Sequence, residues 1–340
     1  MSAPVSIREV AAHAGVSVGT VSNVLNRPEI VAAPTRDRVH AAIKVLGFVR
    51  NEPARQLRAG RSRTIGLVVL DVANPFFTDM ARGVEDEASR SGLSVILCNS
   101  DEQDAREARY LELLEEHRVQ GILITPVTES DERLARLQDR GTPVILVDSR
   151  STSARQCSVS VDDVLGGDMA TAHLLDGGHQ RVAFVGGPAG LRQVADRREG
   201  AVRALVRAGR AAADLRVIET TALNVAGGQA AGRALAAMSP ALRPTAVFCA
   251  NDLLALGLLQ EMTRHGIAVP GEVAIVGYDD IEFAAAAAVP LSSVRQPRQE
   301  LGRMAAQLLM EETGGGRHQH RQVVFQPELE VRRSSLTGTA

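Results

Sequence analysis

The chain has 340 residues, of which 45% are hydrophobic and 23% are charged, and its formal net charge at pH 7 is −2. Its three cysteines form no even set of disulfide partners, and Cys98 and Cys249 lie within apolar runs, as small buried side chains do in a reducing cytoplasm. No window approaches about eighteen apolar residues and no apolar signal segment precedes the first helix, so we expect a cytoplasmic protein without a membrane span.

Residues 6–26 predict two short helices joined by a tight turn. Ser6 and Glu9 form a capping box, so a helix should begin at Ile7. Gly15 tolerates the positive φ of a turn, and Ser17 then caps a second helix. The buried stripe of this second helix consists of Val21, Val24 and Leu25. Its outward face carries small or polar residues that suit base edges in a major groove, namely Val18, Gly19, Ser22, Asn23 and Asn26.

A third helix is predicted from about Arg36 to Leu46. Residues 1–63 contain ten Lys and Arg against four Asp and Glu, a net charge of +6; because the whole chain carries −2, residues 64–340 carry −8. This asymmetry predicts attraction to phosphate at the amino-terminal end alone, with an affinity that depends on salt. The charge asymmetry alone has a second explanation, because any small helical domain has a charged surface.

The segment from Val16 to Asn26 resembles the headpiece of the lactose-repressor (LacI/GalR) family of bacterial transcription regulators. The likeness continues in residues 51–60, 74–77, 277–280 and 294–297, and leaves out only about the last ten residues. The resemblance implies a headpiece and hinge that contact DNA through Ser6, Ser17, Val18, Gly19, Thr20, Ser22, Asn23, Asn26, Asn51, Arg55 and Leu57.

Residues 51–60 resemble the hinge helix of that family. They contain Pro53, Gly60 and two arginines and cannot bury enough apolar surface to hold a helix alone. By resemblance, this segment folds when two copies pack in the minor groove and Leu57 wedges into a base step. A flexible linker with an incidental leucine is the alternative.

Two departures from the family pattern limit what can be carried over. Asn23 stands where many relatives have arginine, so we expect an adenine or phosphate contact there in place of a bidentate guanine contact. The segment from Val31 to Thr35 lacks the serine that commonly caps the third helix, and Asp37 compensates partly near the positive helix end.

After Arg63 apolar strands alternate with helical stretches, which predicts two doubly wound parallel α/β lobes after the three-helix head. The first series covers residues 64–70, 94–98, 121–124, 144–147 and 159–161, and the second covers 181–185, 215–218, 246–249 and 273–276, followed by a strand pair at 292–295 and 323–325. By resemblance to periplasmic sugar-binding proteins, the chain crosses between lobes near residues 161, 291 and 321.

These elements predict four regions. They are a helix-turn-helix headpiece (1–50), a hinge (51–62), a two-lobed effector-binding and dimerisation domain (63–330) and a tail (331–340). Lobe 1 would contain about 63–160 and 292–320, and lobe 2 about 162–290 and 322–330. The tail has no heptad pattern, which disfavours a terminal helical bundle.

Polar side chains follow the predicted strands, at the edge where open parallel sheets bind ligands. Carried over by position, Phe76 and Phe77 would form the wall of a pocket, and its hydrogen-bonding groups would be Asp148, Gln193, Arg197, Asn251 and Asp279. Leu223 lies where several relatives place an aromatic residue, which argues against a planar purine and favours a sugar or polyol. Helix capping is the alternative for each Asp or Asn, and it is the expected role of Asp252 and Asp280.

The sequence carries no enzyme signature, and we expect no cofactor. The glycine-rich residues 186–190 lack the spacing of dinucleotide and phosphate loops, and Pro188 removes an amide. We expect them to form a turn that lines the cleft. The histidines are scattered, His318 and His320 follow three glycines in what looks like an exposed loop, and we therefore predict no metal site.

One headpiece does not supply the affinity that a genomic site demands, so we expect a homodimer on a pseudo-palindromic operator. The resemblance implies that the amino-terminal lobes form much of the dimer contact, and Met80, Val84 and Ala88 are the candidate dimer face on the first helix after Phe77. The sequence as a whole predicts a transcription repressor controlled by a small-molecule effector, although a corepressor needs the same parts. The alternatives are a solute-binding or sensor protein whose head binds a protein partner, and an enzyme with a regulatory head.

Overall fold

The computed structural model describes residues 5–48, 62–128, 132–188, 190–314 and 318–336. The chain divides into two units, residues 1–61 and 62–340, each described here by itself. The hinge prediction, with Asn51, Arg55 and Leu57, lies outside the described residues.

The headpiece consists of the helices α1 (Ile7–Ala14), α2 (Val18–Asn26) and α3 (Ala33–Leu46). The local signals act as predicted: Ser6 and Glu9 cap each other's backbone amides, and Gly15 adopts φ 63° at the end of α1. Helix α3 begins three residues earlier than predicted, with Pro34 in its first turn and no side-chain cap. The headpiece core contains residues from all three helices, including Val10, Val21, Val24 and Val39.

Lobe 1 contains one six-stranded sheet in the order β11-β5-β4-β3-β1-β2, and every pairing in it is parallel. Its strands are β1 (Thr64–Val69), β2 (Ser94–Asn99), β3 (Ile122–Ile124), β4 (Val144–Val147), β5 (Ser158–Val161) and β11 (Gln322–Phe325). Its helices are α4 (Pro75–Arg90), α5 (Asp104–Glu116), α6 (Glu132–Asp139) and α12 (Arg298–Thr313).

Lobe 2 contains a second six-stranded sheet in the order β12-β10-β9-β8-β6-β7, in which only the β10–β12 pairing is antiparallel. Its strands are β6 (Val182–Gly186), β7 (Arg216–Glu219), β8 (Ala246–Cys249), β9 (Ala274–Asp279), β10 (Ser292–Arg295) and β12 (Glu328–Glu330). Its helices are α7 (Asp163–Asp176), α8 (Arg192–Arg207), α9 (Val225–Ala236), α10 (Asp252–Arg264) and α11 (Glu282–Ala286).

Two of the three predicted crossings lie at the wrong residues. The first crossing, near residue 161, is where we expected it. Strands β10 and β11 do not pair with each other: β10 joins β9 in lobe 2, and β11 joins β5 in lobe 1. The chain therefore crosses after Arg295 and again after Phe325. The strand pattern alone did not distinguish these arrangements, because the sequence of neither strand specifies which sheet it joins.

The predicted tail is part of lobe 2 up to residue 336. Ser334 and Ser335 form a buried 3₁₀ turn, and the Ser334 hydroxyl donates to the Ile275 carbonyl at 2.6 Å. The Ser334 Oγ also accepts from the Ser292 amide at 2.8 Å. These bonds attach the end of the described chain to β9 and β10.

The predicted dimer face is also wrong, because Met80, Val84 and Ala88 are buried within lobe 1. Helices α4 and α12 approach so closely that a Cβ on Gly302 would lie 2.0 Å from the Met80 carbonyl oxygen. The apolar stripe of α4 therefore packs against its own lobe. An apolar stripe at helical spacing has the same pattern whether a second helix or a second subunit covers it.

Candidate functional site

A cavity opens between the carboxyl ends of the two sheets and has residues of both lobes in its wall. It encloses about 30 Å³. Its lining residues are Leu70, Asp71, Asn74, Phe76, Phe77, Glu102, Asp148, Gln193, Arg197, Leu223, Asn251 and Asp279. All eight residues carried over from the family pattern are among them, so the structure brings the predicted set together in one place.

The side chains of Asn74 and Gln193 each bind the opposite lobe across this cavity. Asn74 Nδ2 donates to Asp279 Oδ2 at 3.2 Å, while Asn74 Oδ1 accepts from the Phe76 amide and caps α4. Gln193 Nε2 donates to Asp148 Oδ2 at 3.0 Å and to the Asp148 carbonyl at 2.7 Å. Beside Asn74, the rings of Phe76 and Phe77 meet edge to face with centroids 5.0 Å apart.

Arg197 is the buried cation of the site. Its Nε donates to Asp163 at 2.8 Å, its Nη1 donates to the Ala250 carbonyl at 2.7 Å, and its guanidinium carbon lies 3.7 Å from the centre of the Tyr278 ring. Burial by itself would lower the pKa of Arg197, but the nearby carboxylates, Asp163 first, hold that pKa above its usual value. The guanidinium therefore remains charged.

Two buried carboxyl groups face this cation. Burial raises the pKa of Asp148 well above its usual value, the negative charge of Asp163 raises it further, and Arg197 and Gln193 offset part of the effect. Burial also raises the pKa of Asp279, against the stabilising effects of Arg197, Asn74 and Gln296. Asp148 Oδ1 has no hydrogen-bond partner among the residues that the structure describes. It is therefore available to accept a hydrogen bond from a ligand.

The polar groups of Asn251 are already used within the protein. Its Oδ1 accepts from the Leu254 amide and caps α10, and its Nδ2 donates to the Leu223 carbonyl, both at 2.9 Å.

The predicted capping roles of Asp252 and Asp280 are wrong. Asp252 accepts from the Ile281 amide and the Ser293 hydroxyl, because it faces β10 from the first turn of α10. Asp280 binds Arg295 and Arg332.

Sequence reasoning located Asn74 after the first strand but missed Leu70, Asp71 and Glu102 as lining residues. Glu102 follows β2, so the rule that located polar groups after strand ends would have found it had it been applied to that strand. Glu102, Asp148 and Asp279 have positive φ angles of 55°, 54° and 102°. Non-glycine residues seldom adopt this backbone conformation, and it is concentrated here at the strand ends.

The glycine-rich turn does not line this cleft through the residues described there. Gly186 and Gly187 line a separate cavity of about 350 Å³ in lobe 2. Gly187 approaches the cleft only through Leu223, whose side chain lies where a Cβ on Gly187 would stand, 2.7 Å away. The turn thus supports the cleft wall from behind.

In the headpiece, several predicted DNA contacts also have local roles. The Ser6 and Ser17 hydroxyls cap α1 and α2, and the Ser17 Oγ lies 2.8 Å from the Thr20 hydroxyl. Asn26 donates to the Ser22 hydroxyl at 3.2 Å. The exposed residues of α2 include Val18, Gly19 and Asn23. This face has the short polar side chains that base-edge contact requires.

The histidine loop differs from its sequence interpretation. His318 is only 10% exposed at its side chain, and its Nε2 lies 3.1 Å from the buried Cys157 thiol. The prediction of an exposed loop without partners is therefore wrong for this residue. No sequence spacing connects it with Cys157, because 161 positions separate the two.

Among the described residues, no helix combines the length and the apolar composition needed to cross a bilayer.

The fold and the cleft define a class: a two-lobed binding domain of the periplasmic-binding-protein type that follows a helix-turn-helix headpiece. Family models agree, since residues 171–335 match the periplasmic binding protein-like domain and residues 6–51 match the bacterial regulatory proteins of the lacI family. The chain belongs to the lacI family of bacterial regulatory proteins.

Two relatives extend this agreement over almost the whole chain. The ribose operon repressor of Escherichia coli K12 is 35% identical over 334 residues, covering 98% of this chain and 97% of the relative. The HTH-type transcriptional repressor PurR of Photobacterium profundum is 32% identical over 331 residues, covering 97% of this chain and 98% of the relative.

Solved structures are similar as well. A transcriptional regulator CelR–cellobiose complex matches with a TM-score of 0.71 and 31% identity over 97% of this chain and 99% of that one. A LacI family regulator from Enterococcus faecium with bound ribose matches with a TM-score of 0.74 and 30% identity, over 81% of this chain and 100% of that one. The lac repressor dimer bound to operator and the anti-inducer ONPF matches with a TM-score of 0.82 and 25% identity, over 98% of this chain and 100% of that one.

Proposed function

We propose that this protein is a transcription repressor that binds a pseudo-palindromic operator as a homodimer in the cytoplasm, and that a sugar or related polyol in the cleft controls it. The observation that carries the proposal is the cavity between the lobes, with its buried carboxylates, amides and one arginine. These are the groups that hydrogen-bond hydroxyls.

The headpiece supplies the argument for DNA. Helix α2 exposes Asn23 on a unit whose basic residues exceed its acidic ones, and repressors are named among relatives that match the full chain. We expect Asn23 to contact a base edge or phosphate. Asn51, Arg55 and Leu57 would contact the operator from the hinge.

The cleft supplies the argument for a sugar. Phe76 and Phe77 offer an apolar wall for a sugar ring, and Asp148 Oδ1 can accept a hydrogen bond from a sugar hydroxyl. Similar structures hold ribose and cellobiose. Leu223 presents an aliphatic surface in place of an aromatic one, which disfavours stacking on a planar base.

The bonds that join the lobes explain how a ligand could change operator affinity. A cavity of about 30 Å³ has room for roughly one or two water molecules, so a sugar enters only if the lobes move apart. A bound sugar would then compete for the Asn74–Asp279 and Gln193–Asp148 bonds and set the angle between the lobes. By linkage, a sugar that weakens operator binding is itself bound more weakly in the presence of operator, by the same factor.

Operator selection from random duplexes with purified full-length protein tests the DNA part, followed by anisotropy titrations at several salt concentrations. We expect a palindrome, and an affinity loss of about tenfold for Asn23→Ala if it makes one good base contact. His40→Ala, an exposed α3 change, is the matched control. If no palindrome emerges even at low salt, the protein-partner alternative replaces the repressor.

A ligand panel at fixed salt tests the effector part, with ribose, cellobiose and a purine base as probes. We expect one sugar to weaken operator binding and the purine to leave it unchanged; a sugar that strengthens binding would make it a corepressor. Asp148→Asn should lose the sugar response and keep operator affinity, whereas the exposed Asp86→Asn should keep both. A response to the purine alone contradicts the sugar proposal.

A further inference from the structure

Four side chains with metal-binding atoms meet at the amino-terminal edge of the lobe 1 sheet. Cys157 immediately precedes β5, Glu312 lies in the last turn of α12, and His318 and His320 precede β11. Strands β5 and β11 are paired in parallel from Ser158 and Gln322 onward, so the fold brings these distant segments side by side.

The four ligand atoms lie within 4.8 Å of one another. Cys157 Sγ is 3.1 Å from His318 Nε2 and 3.8 Å from His320 Nδ1. Glu312 Oε2 is 3.7 Å from His318 Nε2 and 3.8 Å from His320 Nδ1. This oxygen is buried and has no hydrogen-bond partner within the part of the chain that the structure describes.

These four distances lie within about half an ångström of the edges of a tetrahedral metal site. With zinc–sulfur bonds of about 2.3 Å and zinc–nitrogen or zinc–oxygen bonds of about 2.0–2.1 Å, neighbouring ligand atoms stand roughly 3.3–3.6 Å apart. The measured separations fall on both sides of that value. The Glu312 contacts are too long for hydrogen bonds, yet a shift of a few tenths of an ångström would bring them to ligand spacing.

We propose that Cys157, Glu312, His318 and His320 bind one Zn²⁺ ion. One thiolate, two imidazoles and one carboxylate form a mixed sulfur, nitrogen and oxygen set, which suits zinc and does not suit the hard cations Mg²⁺ or Ca²⁺. The site is separate from the effector cleft, since none of the four residues lines that cavity.

Proton balance is part of the binding step. Burial raises the pKa of the Cys157 thiol, while the Arg321 amide, which donates to Cys157 Sγ at 3.3 Å, lowers it in part. Zinc binding therefore forms the zinc–sulfur bond and releases the thiol proton to solvent. The Arg321 amide remains as a hydrogen bond to the bound thiolate.

A metal ion here would connect the end of α12 to the starts of two paired strands. β11 is an edge strand with a single neighbour in its sheet, and the chain crosses to lobe 2 directly after it. A fixed β11 start stabilises that edge. The site lies at the end of the sheet opposite the cleft, so we assign it a structural role.

Cobalt titration of the full-length protein, after treatment with a chelator and under reducing conditions, tests the site. Co²⁺ serves as the visible probe, because zinc is spectroscopically silent. We expect one Co²⁺ per chain with thiolate-to-cobalt charge-transfer absorption, displacement by Zn²⁺, and no displacement by excess Mg²⁺. Elemental analysis after zinc loading should give one zinc per chain.

Variants identify the ligands. Cys157→Ser should abolish the charge-transfer band, and His320→Ala should weaken cobalt binding by at least about 100-fold, more than the loss of an outer-shell partner usually costs. Cys98→Ser and the exposed His117→Ala are matched controls that should bind as the parent does. Circular dichroism checks that each variant is folded.

Two results would overturn the proposal. The first is a parent protein that binds no cobalt with a thiolate band, which needs no variant to be interpreted. The second is an undiminished band in folded Cys157→Ser or His320→Ala protein. Neither result touches the proposed repressor function, which rests on other residues.

Discussion

The cleft and the cluster of Cys157, Glu312, His318 and His320 are both polar groups set into an apolar body, and they differ in how their atoms are satisfied. In the cleft, both carboxylates already accept a hydrogen bond from the opposite lobe, Asp279 from Asn74 and Asp148 from Gln193, and Asp148 Oδ1 is left without a partner among the described residues. In the cluster, the Glu312 oxygen is buried without a hydrogen-bond donor among the described residues. The first arrangement is stable when closed and can be opened by a competing ligand; the second has the spacing of a metal site.

The largest expected effect comes from removing the cation of the cleft. Arg197→Met leaves Asp163, Asp148 and Asp279 buried without their counter-charge, and we expect a loss of roughly 3–5 kcal/mol in the free energy of unfolding. Arg198→Met, at the exposed neighbouring position, should change it little. Urea unfolding of both variants measures the difference. Equal, small losses would mean that the cleft is held together by something other than this ion cluster.

The second effect tests how rigidly Arg197 is positioned. A Cβ on Gly167 would lie 2.0 Å from the Arg197 carbonyl oxygen, so Gly167→Ala must push α7 and α8 apart. We expect a loss of about 1–3 kcal/mol from overpacking, together with weaker sugar binding. Gly190→Ala, where the added carbon meets open space, is the control. Unchanged unfolding of Gly167→Ala would show that the helix contact is loose.

The third expected effect is a gain in stability. The pKa of Asp148 in the folded protein lies above its usual value of 3.8, so the folded state holds the carboxyl proton more tightly than the unfolded state does. The stability that Asp148 contributes therefore falls as pH rises from the unfolded-state pKa to the folded-state pKa. Asp148→Asn should therefore raise Tm by about 2–4 °C at neutral pH. The gain should vanish at low pH, where the parent carboxyl is protonated. A gain that persists there would have a cause other than charge.

The smallest expected effect is the coupling between the two sites. Zinc and sugar should each stabilise the protein against heat, since each binds the folded state. Because the sites share no residue, their stabilisation energies should add within about 0.5 kcal/mol. Thermal unfolding with zinc, sugar, both and neither checks this. A larger interaction would mean that the β11 edge senses the lobe angle and that the metal regulates the cleft.

By itself the sequence determined the headpiece helices and most of the cleft. Capping by Ser6 and Ser17 and the turn at Gly15 depend on residues three or four positions apart, so they can be seen in the sequence. Asp148, Asn251 and Asp279 could be predicted because the carboxyl ends of parallel strands converge whatever the sheet order. Gln193, Arg197 and Leu223 came only from the resemblance to the family.

The tertiary structure decided the rest. Which sheet β10 and β11 each join, and whether Met80 faces α12 or a second subunit, depend on packing partners that no local pattern specifies. The meeting of Cys157 with His318 exists only because β11 lies beside β5. Side chains 161 positions apart acquire a common chemistry only when strand pairing makes them neighbours.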